Sequence, residues 1–187
     1  MNNTIQGKNV AILATHGFEE SELVSPRDAL KAAGAMVHVV SPESGELQAF
    51  RHLEKGSKVS VDKTLSEVQA EDYDAIVLPG GLFNPDQLRV NEQALTFVQA
   101  FVKAGKPVAA ICHGPWILAD AGVLKGRKVT SVPNIRKDIE NAGATWVDEE
   151  VVVERGIVTS RTPKDLEAFN AKLIEEICEG KHERRAA

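Results

Sequence analysis

Short, mostly apolar runs of four or five residues alternate with helical patterns along this chain, and no other feature constrains its fold as much. Val10–Ala14, Met36–Val40, Ala75–Leu78 and Val108–Ile111 are the apolar runs, while Leu23–Ala33 and Glu92–Ala104 carry a helical period between them. Runs of this kind suit strands buried on both faces, and strands alternating with helices make a parallel sheet covered on both sides. Gly34, Gly105 and Gly122 each follow a helical pattern, where a residue able to adopt positive φ stops a helix.

Ser41–Asp62 breaks the pattern with Gly45, Gly56 and short alternating pieces such as Lys58–Val61, which predicts a small antiparallel excursion at an edge. After Cys112 and its helix, Lys128–Ser131, Glu150–Val153 and Ile157–Ser160 read as strands, the last two a hairpin around Arg155-Gly156, and Pro163–Glu179 closes as a helix. Pro26 leaves two readings open: the first turn of a helix capped by Ser25, or an interruption of one starting near Glu19. With 187 residues, 43% of them hydrophobic, and no linker or repeat, the chain is expected to form one domain, its core spanning about residues 8–179.

A formal net charge of −5 argues against a surface built for nucleic acid or anionic lipid, and the dense basic stretch Lys181–Arg185 reads as a solvated terminus. No secretory or membrane-spanning run is seen, so a cytoplasmic location is expected. The two cysteines, Cys112 and Cys178, are then expected as free thiols.

Chemistry concentrates in Pro107–Pro115, where an apolar strand runs into Cys112, His113, Gly114 and a helix-opening proline. A nucleophile on a strand-to-helix elbow needs small neighbours two residues before and after it, and Ala110 and Gly114 meet that requirement. The helix start and the His113 imidazole both favour the thiolate, so Cys112 is expected to titrate below a free thiol. In open α/β sheets the ligand lies beyond the carboxyl ends of the strands, which brings in two further loops. One carries Glu19, Glu20 and Glu22; the other is Pro79-Gly80-Gly81, whose backbone N–H groups, with that of Cys112, suit an oxyanion.

Five segments together resemble the PfpI/ThiJ family of intracellular peptidases, general stress proteins and deglycases. They are Gly17–Leu23, Leu78–Gly81, Gly105–Pro115, Gly122–Thr130 and Ser160–Pro163, and the likeness runs from about Val10 to Phe169. The resemblance implies a flavodoxin-like α/β sandwich with a small antiparallel edge, and a homodimer or higher assembly of dimers. It implies Cys112 as nucleophile with His113 beside it, Glu22 rather than Glu19 or Glu20 as the buried acid on the thiol, and Asp86 from a neighbouring subunit orienting the histidine. Glu19 remains a secondary candidate.

Glutamine amidotransferases use a similar elbow but need a late His-x-Glu, and no histidine stands between His113 and His182. The five histidines lack metal-ligand spacing, and no phosphate-cradling glycine motif occurs, so neither metal nor cofactor is expected. Three readings remain, in this order. The first is an enzyme acting on aldehydes such as methylglyoxal or on their adducts with proteins and other nucleophiles; the second is a cysteine peptidase; the third is a redox sensor or chaperone.

Overall fold

A computed structural model describes residues 4–180; the basic stretch Lys181–Arg185 and His182 lie outside the described residues. Seven strands form the central sheet: β1 (Asn9–Leu13), β3 (Met36–Ser41), β6 (Lys63–Thr64), β7 (Ala75–Leu78), β8 (Val108–Ile111), β11 (Val151–Glu154) and β12 (Ile157–Ser160). Their spatial order is β11-β12-β8-β7-β1-β3-β6. Every pairing is parallel except β11 with β12, which is the hairpin expected around Arg155-Gly156.

The continuous apolar runs are explained by burial on both faces. Ala11, Leu13, Ile76, Leu78, Val108 and Ala110 pack toward α3 (Glu92–Lys103), α4 (Pro115–Asp120) and α5 (Arg136–Asn141). Val10, Ile12, Ala75, Val77, Ala109 and Ile111 face α1 (Glu20–Ala32) and α6 (Leu166–Glu179). This is a three-layer, flavodoxin-like α/β sandwich with a mostly parallel sheet.

The antiparallel excursion lies off the central sheet. β4 (Glu46–Arg51) and β5 (Glu54–Ser60) form a hairpin joined by the two-residue β2 (Phe18–Glu19), making a separate three-stranded sheet at the carboxyl end of β1. Of the expected strand Lys128–Ser131 only Lys128–Val129 is extended; as β9 it pairs with β10 (Thr145–Trp146) in a sheet of its own. α2 (Phe83–Leu88) follows the Gly80-Gly81 turn.

Pro26 is inside α1, resolving the two readings in favour of a helix that starts at Glu20. Its missing N–H leaves the Glu22 carbonyl without the usual helical bond, a loss offset by burial of Leu23, Pro26 and Leu30 on the core face. Glu22 shares that face and is fully buried with them.

Phe169, on α6, is entirely buried against the sheet. Phe169→Ala is expected to lower unfolding stability by about 3–5 kcal/mol in urea denaturation, the cost of a large core cavity; a loss below about 1 kcal/mol would mean that α6 packs loosely.

Candidate active site

Four strand ends build one cleft. β8 delivers Cys112 at φ 61°, a left-handed conformation that costs a non-glycine residue energy and turns its side chain out of the sheet. The turn tolerates no bulk beside it. A Cβ on Gly80 would lie 2.7 Å from Cys112 Cβ, and one on Gly114 would lie 2.5 Å from the Leu78 carbonyl oxygen. Gly114, expected to be small on sequence grounds, is therefore required by contact, and so is Gly80.

Glu22 reaches the same point from α1. Its Oε2 accepts the Gly80 N–H at 2.8 Å, and the carboxyl interacts with the Cys112 thiol and the Gly81 N–H. Burial pushes this carboxyl up to about 8, and the neighbouring charge of Glu19 adds to the rise. Glu22 therefore carries its proton near neutral pH.

The sulfur lies 3.3 Å from His113 Nδ1 and interacts with the backbone N–H groups of His113 and Gly81. Burial, and then the charge of an ionised Glu22, push the thiol up rather than down. This corrects the expectation of a thiol made acidic by the helix start: α4 has only six residues and begins three positions on, so its terminus is a weak counterweight. A thiolate fits here only while Glu22 keeps its proton, because a repelling carboxylate then becomes a hydrogen-bond donor. Burial also lowers His113, leaving a neutral imidazole able to accept the thiol proton.

The oxyanion arrangement is corrected too. The Gly80 N–H is engaged by Glu22, and the Cys112 N–H donates to the Ser160 carbonyl at 3.0 Å as the sheet pairing continues past β8. The N–H groups of Gly81 and His113 are the two directed at the sulfur.

The structure thus gathers Cys112, His113, Glu22, Gly80, Gly81 and Glu19, while Asp86 is exposed on α2 and does not line the cleft. Glu20 faces the hairpin instead, accepting from Arg51 and the Ser57 N–H. Several participants were not singled out as site residues in the sequence. His52 and Leu53 at the β4–β5 tip, with Leu82 and Pro163, complete a cleft of about 200 Å³. Trp116 packs 5.1 Å from the His113 ring, under the Arg89 guanidinium. Asn84, fully buried, accepts the Thr15 N–H at 2.7 Å and donates to the Pro79 carbonyl at 2.9 Å, tying the ends of β1 and β7 together. A polar residue just inside the helix after the Gly-Gly turn was the available sign of it.

A parallel α/β sheet with a cysteine elbow over a buried glutamic acid defines a class of cysteine-elbow proteins. The chain belongs to the DJ-1/PfpI family, whose model matches residues 8–176. It is 49% identical over 167 residues to a Bacillus subtilis protein named "Putative cysteine protease YraA", covering 89% of this chain and 96% of that one. Among solved structures, Drosophila melanogaster DJ-1beta superposes with a TM-score of 0.84 at 30% identity, covering 91% of this chain and 90% of the other. A two-domain protein from Anabaena variabilis with DJ-1/ThiJ/PfpI-like and ferritin-like domains gives a TM-score of 0.86 at 37% identity; the match covers 91% of this chain and 48% of that longer one. The family includes cysteine-dependent enzymes. Among the described residues, no helix is long and apolar enough to cross a membrane.

The raised Glu22 gives a pH test independent of catalysis. Its proton is retained in the folded state up to about pH 8 but released from the unfolded chain near 4.5. The associated stability is therefore full below about pH 4.5 and is lost as pH rises through 8. Glu22→Gln, which cannot ionise, should gain about 2–4 kcal/mol on the parent between pH 5 and pH 8 in urea midpoints. No change in that difference would mean a solvated carboxyl.

Proposed function

We propose that the chain is a cofactor-independent enzyme that adds Cys112 to small reactive aldehydes such as methylglyoxal, free or as early adducts, and releases a hydroxy acid. The observation that carries this reading is the Glu22 carboxyl, buried against the sulfur in a cleft of about 200 Å³ and pushed up to about 8 by that burial. Aldehyde conversion needs one group that first gives and then takes a proton at adjacent atoms, and a carboxyl near pKa 8 suits both steps.

For methylglyoxal, His113 accepts the thiol proton as Sγ bonds to the aldehyde carbon. The new alkoxide is protonated by Glu22, giving a hemithioacetal. The Glu22 carboxylate removes the C1 hydrogen while the His113 imidazolium protonates the C2 oxygen, giving an enediol; Glu22 then returns its proton to C2 as the C1 hydroxyl proton passes to His113, leaving a 2-hydroxy thioester. C1 has been oxidised and C2 reduced, so no external electron carrier is needed. Water attacks the thioester carbonyl, the C–S bond breaks, and lactate and the thiol are released. The N–H groups of Gly81 and His113 support negative charge during addition and hydrolysis.

A second reading, a cysteine peptidase, is favoured by the 3.3 Å Sγ to Nδ1 contact and by the name of the Bacillus subtilis relative. It needs a carboxylate to orient His113, and exposed Asp86 supplies one only from a second copy of the chain, in a homodimer or larger assembly. On this reading Asp86→Asn lowers peptide hydrolysis about 10-fold or more, read with a fluorogenic peptide, while aldehyde turnover changes much less.

For the aldehyde reading, Cys112→Ser is expected to abolish lactate formation from methylglyoxal. Glu22→Gln should lower kcat about 100-fold or more while Cys112 still reacts with iodoacetamide, since Gln keeps a donor but moves no proton. Parent-like turnover by Glu22→Gln would overturn the assignment.

A further inference from the structure

The mouth of the cleft has a charge pattern that the proton chemistry does not use. Its outer rim is apolar, made by Leu53, Leu82 and Pro163, and Glu19 stands among them. No Lys or Arg is among the described residues that line it. The two arginines close to it in sequence are already engaged: Arg51 pairs with Glu20 at 2.8 Å, and Arg161 with Asp148 at 2.7 Å and Asp165 at 3.0 Å.

Glu19 is also rigidly held. Its backbone pairs with Phe50 in the small sheet, and a Cβ on Gly81 would lie 2.6 Å from its nitrogen. Its Oε2 accepts the His52 N–H at 2.9 Å, where the chain turns at φ 57°. That bond fixes the hairpin tip, so Leu53, though 95% exposed, is set at the rim.

We propose that Glu19 is the selectivity residue of this site. By pinning the hairpin tip over the cleft and keeping a fixed negative charge at its mouth, it admits small neutral aldehydes with an apolar substituent and turns away carboxylate- or phosphate-bearing ones. The charge of Glu19 is felt at Glu22, deeper in the same cleft. A like charge at the mouth raises the cost of bringing an anion to the sulfur, slowing it on the order of 10-fold. The substrates named rest on the aldehyde reading above, whereas the charge selectivity does not.

Alkylation of Cys112 in the intact protein separates the two. Iodoacetamide and iodoacetate both form a bond to Sγ with loss of iodide, and differ in charge. At low salt the iodoacetamide-to-iodoacetate rate ratio of Cys112, read by peptide mass spectrometry, should exceed that of 2-mercaptoethanol about 10-fold. Glu19→Gln should bring the ratio close to that of the free thiol, and Glu19→Asp should retain most of it. If Glu19→Gln does not fold, the parent alone decides: salt should raise its iodoacetate rate more than it raises that of 2-mercaptoethanol.

With aldehydes, Glu19→Gln should raise kcat/KM for glyoxylate relative to methylglyoxal about 10-fold, through KM. A parent ratio equal to that of the free thiol, or one unmoved by Glu19→Gln, overturns the role of Glu19. A protein that shows the charge selectivity but converts no aldehyde loses the aldehyde reading and keeps this one.

Discussion

The left-handed turn at Cys112 is the constraint on which the rest of the site depends. A cysteine at φ 61° is held there by its surroundings, and those surroundings leave no space for a side chain at Gly80 or Gly114. The close approach joins the ends of β7 and β8, and it directs the Gly80 N–H toward the carboxyl of Glu22. One bond thereby connects three elements far apart in sequence: the start of α1, the turn after β7 and the nucleophile after β8. Asn84 adds the end of β1 to the same cluster. Geometry this crowded changes little, which suits a reaction whose proton donor must stay within reach of one sulfur.

Much of this was legible in the sequence, because steric needs leave local marks. Ala110 and Gly114 flanking Cys112 mark an elbow, Pro79-Gly80-Gly81 marks a tight turn, and four apolar runs mark strands covered on both faces. The distribution of hydrogen bonds was not legible. Whether the Cys112 N–H is free or bonded to the Ser160 carbonyl depends on the register of β12 against β8, and register is a property of two distant segments. The Gly80 donor was misassigned for the same reason, since its acceptor is 58 residues away. Pro26 was ambiguous because propensity alone disfavours a mid-helix proline, whereas the structure compensates for it by burial.

The hairpin β4–β5 shows a different limit. Its alternating pattern identifies two antiparallel strands, but nothing in Leu47, Ala49 or Val59 indicates that they pack beneath β2 instead of joining the central sheet. The β2–β4 pairing and burial of these residues with Phe18 hold the hairpin there, and Glu19 and Glu20 reach across to His52, Arg51 and Ser57. Acidic residues in a first helical turn ordinarily complement the helix dipole and face water. Here three carboxylates within four residues take three separate directions: Glu19 to the hairpin tip, Glu20 to the hairpin stem and Glu22 into the core.

This division bears on which chemistry the site favours. A peptidase must protonate a leaving amine, a task for an imidazolium oriented by a carboxylate, and burial lowers His113 while its ring is packed by Trp116. An aldehyde has no leaving group at the first step, so once His113 has taken the thiol proton it asks for a proton delivered to an oxygen and one removed from the adjoining carbon. On the proposed reading Glu22 serves both steps, its carboxyl held by Gly80 on one side and meeting the thiol on the other. Glu19, three residues earlier, adds by its charge to the rise that burial produces in Glu22. On the proposed aldehyde reading every group invoked lies within one chain, whereas the peptidase reading calls on Asp86, which is exposed on α2 away from the cleft.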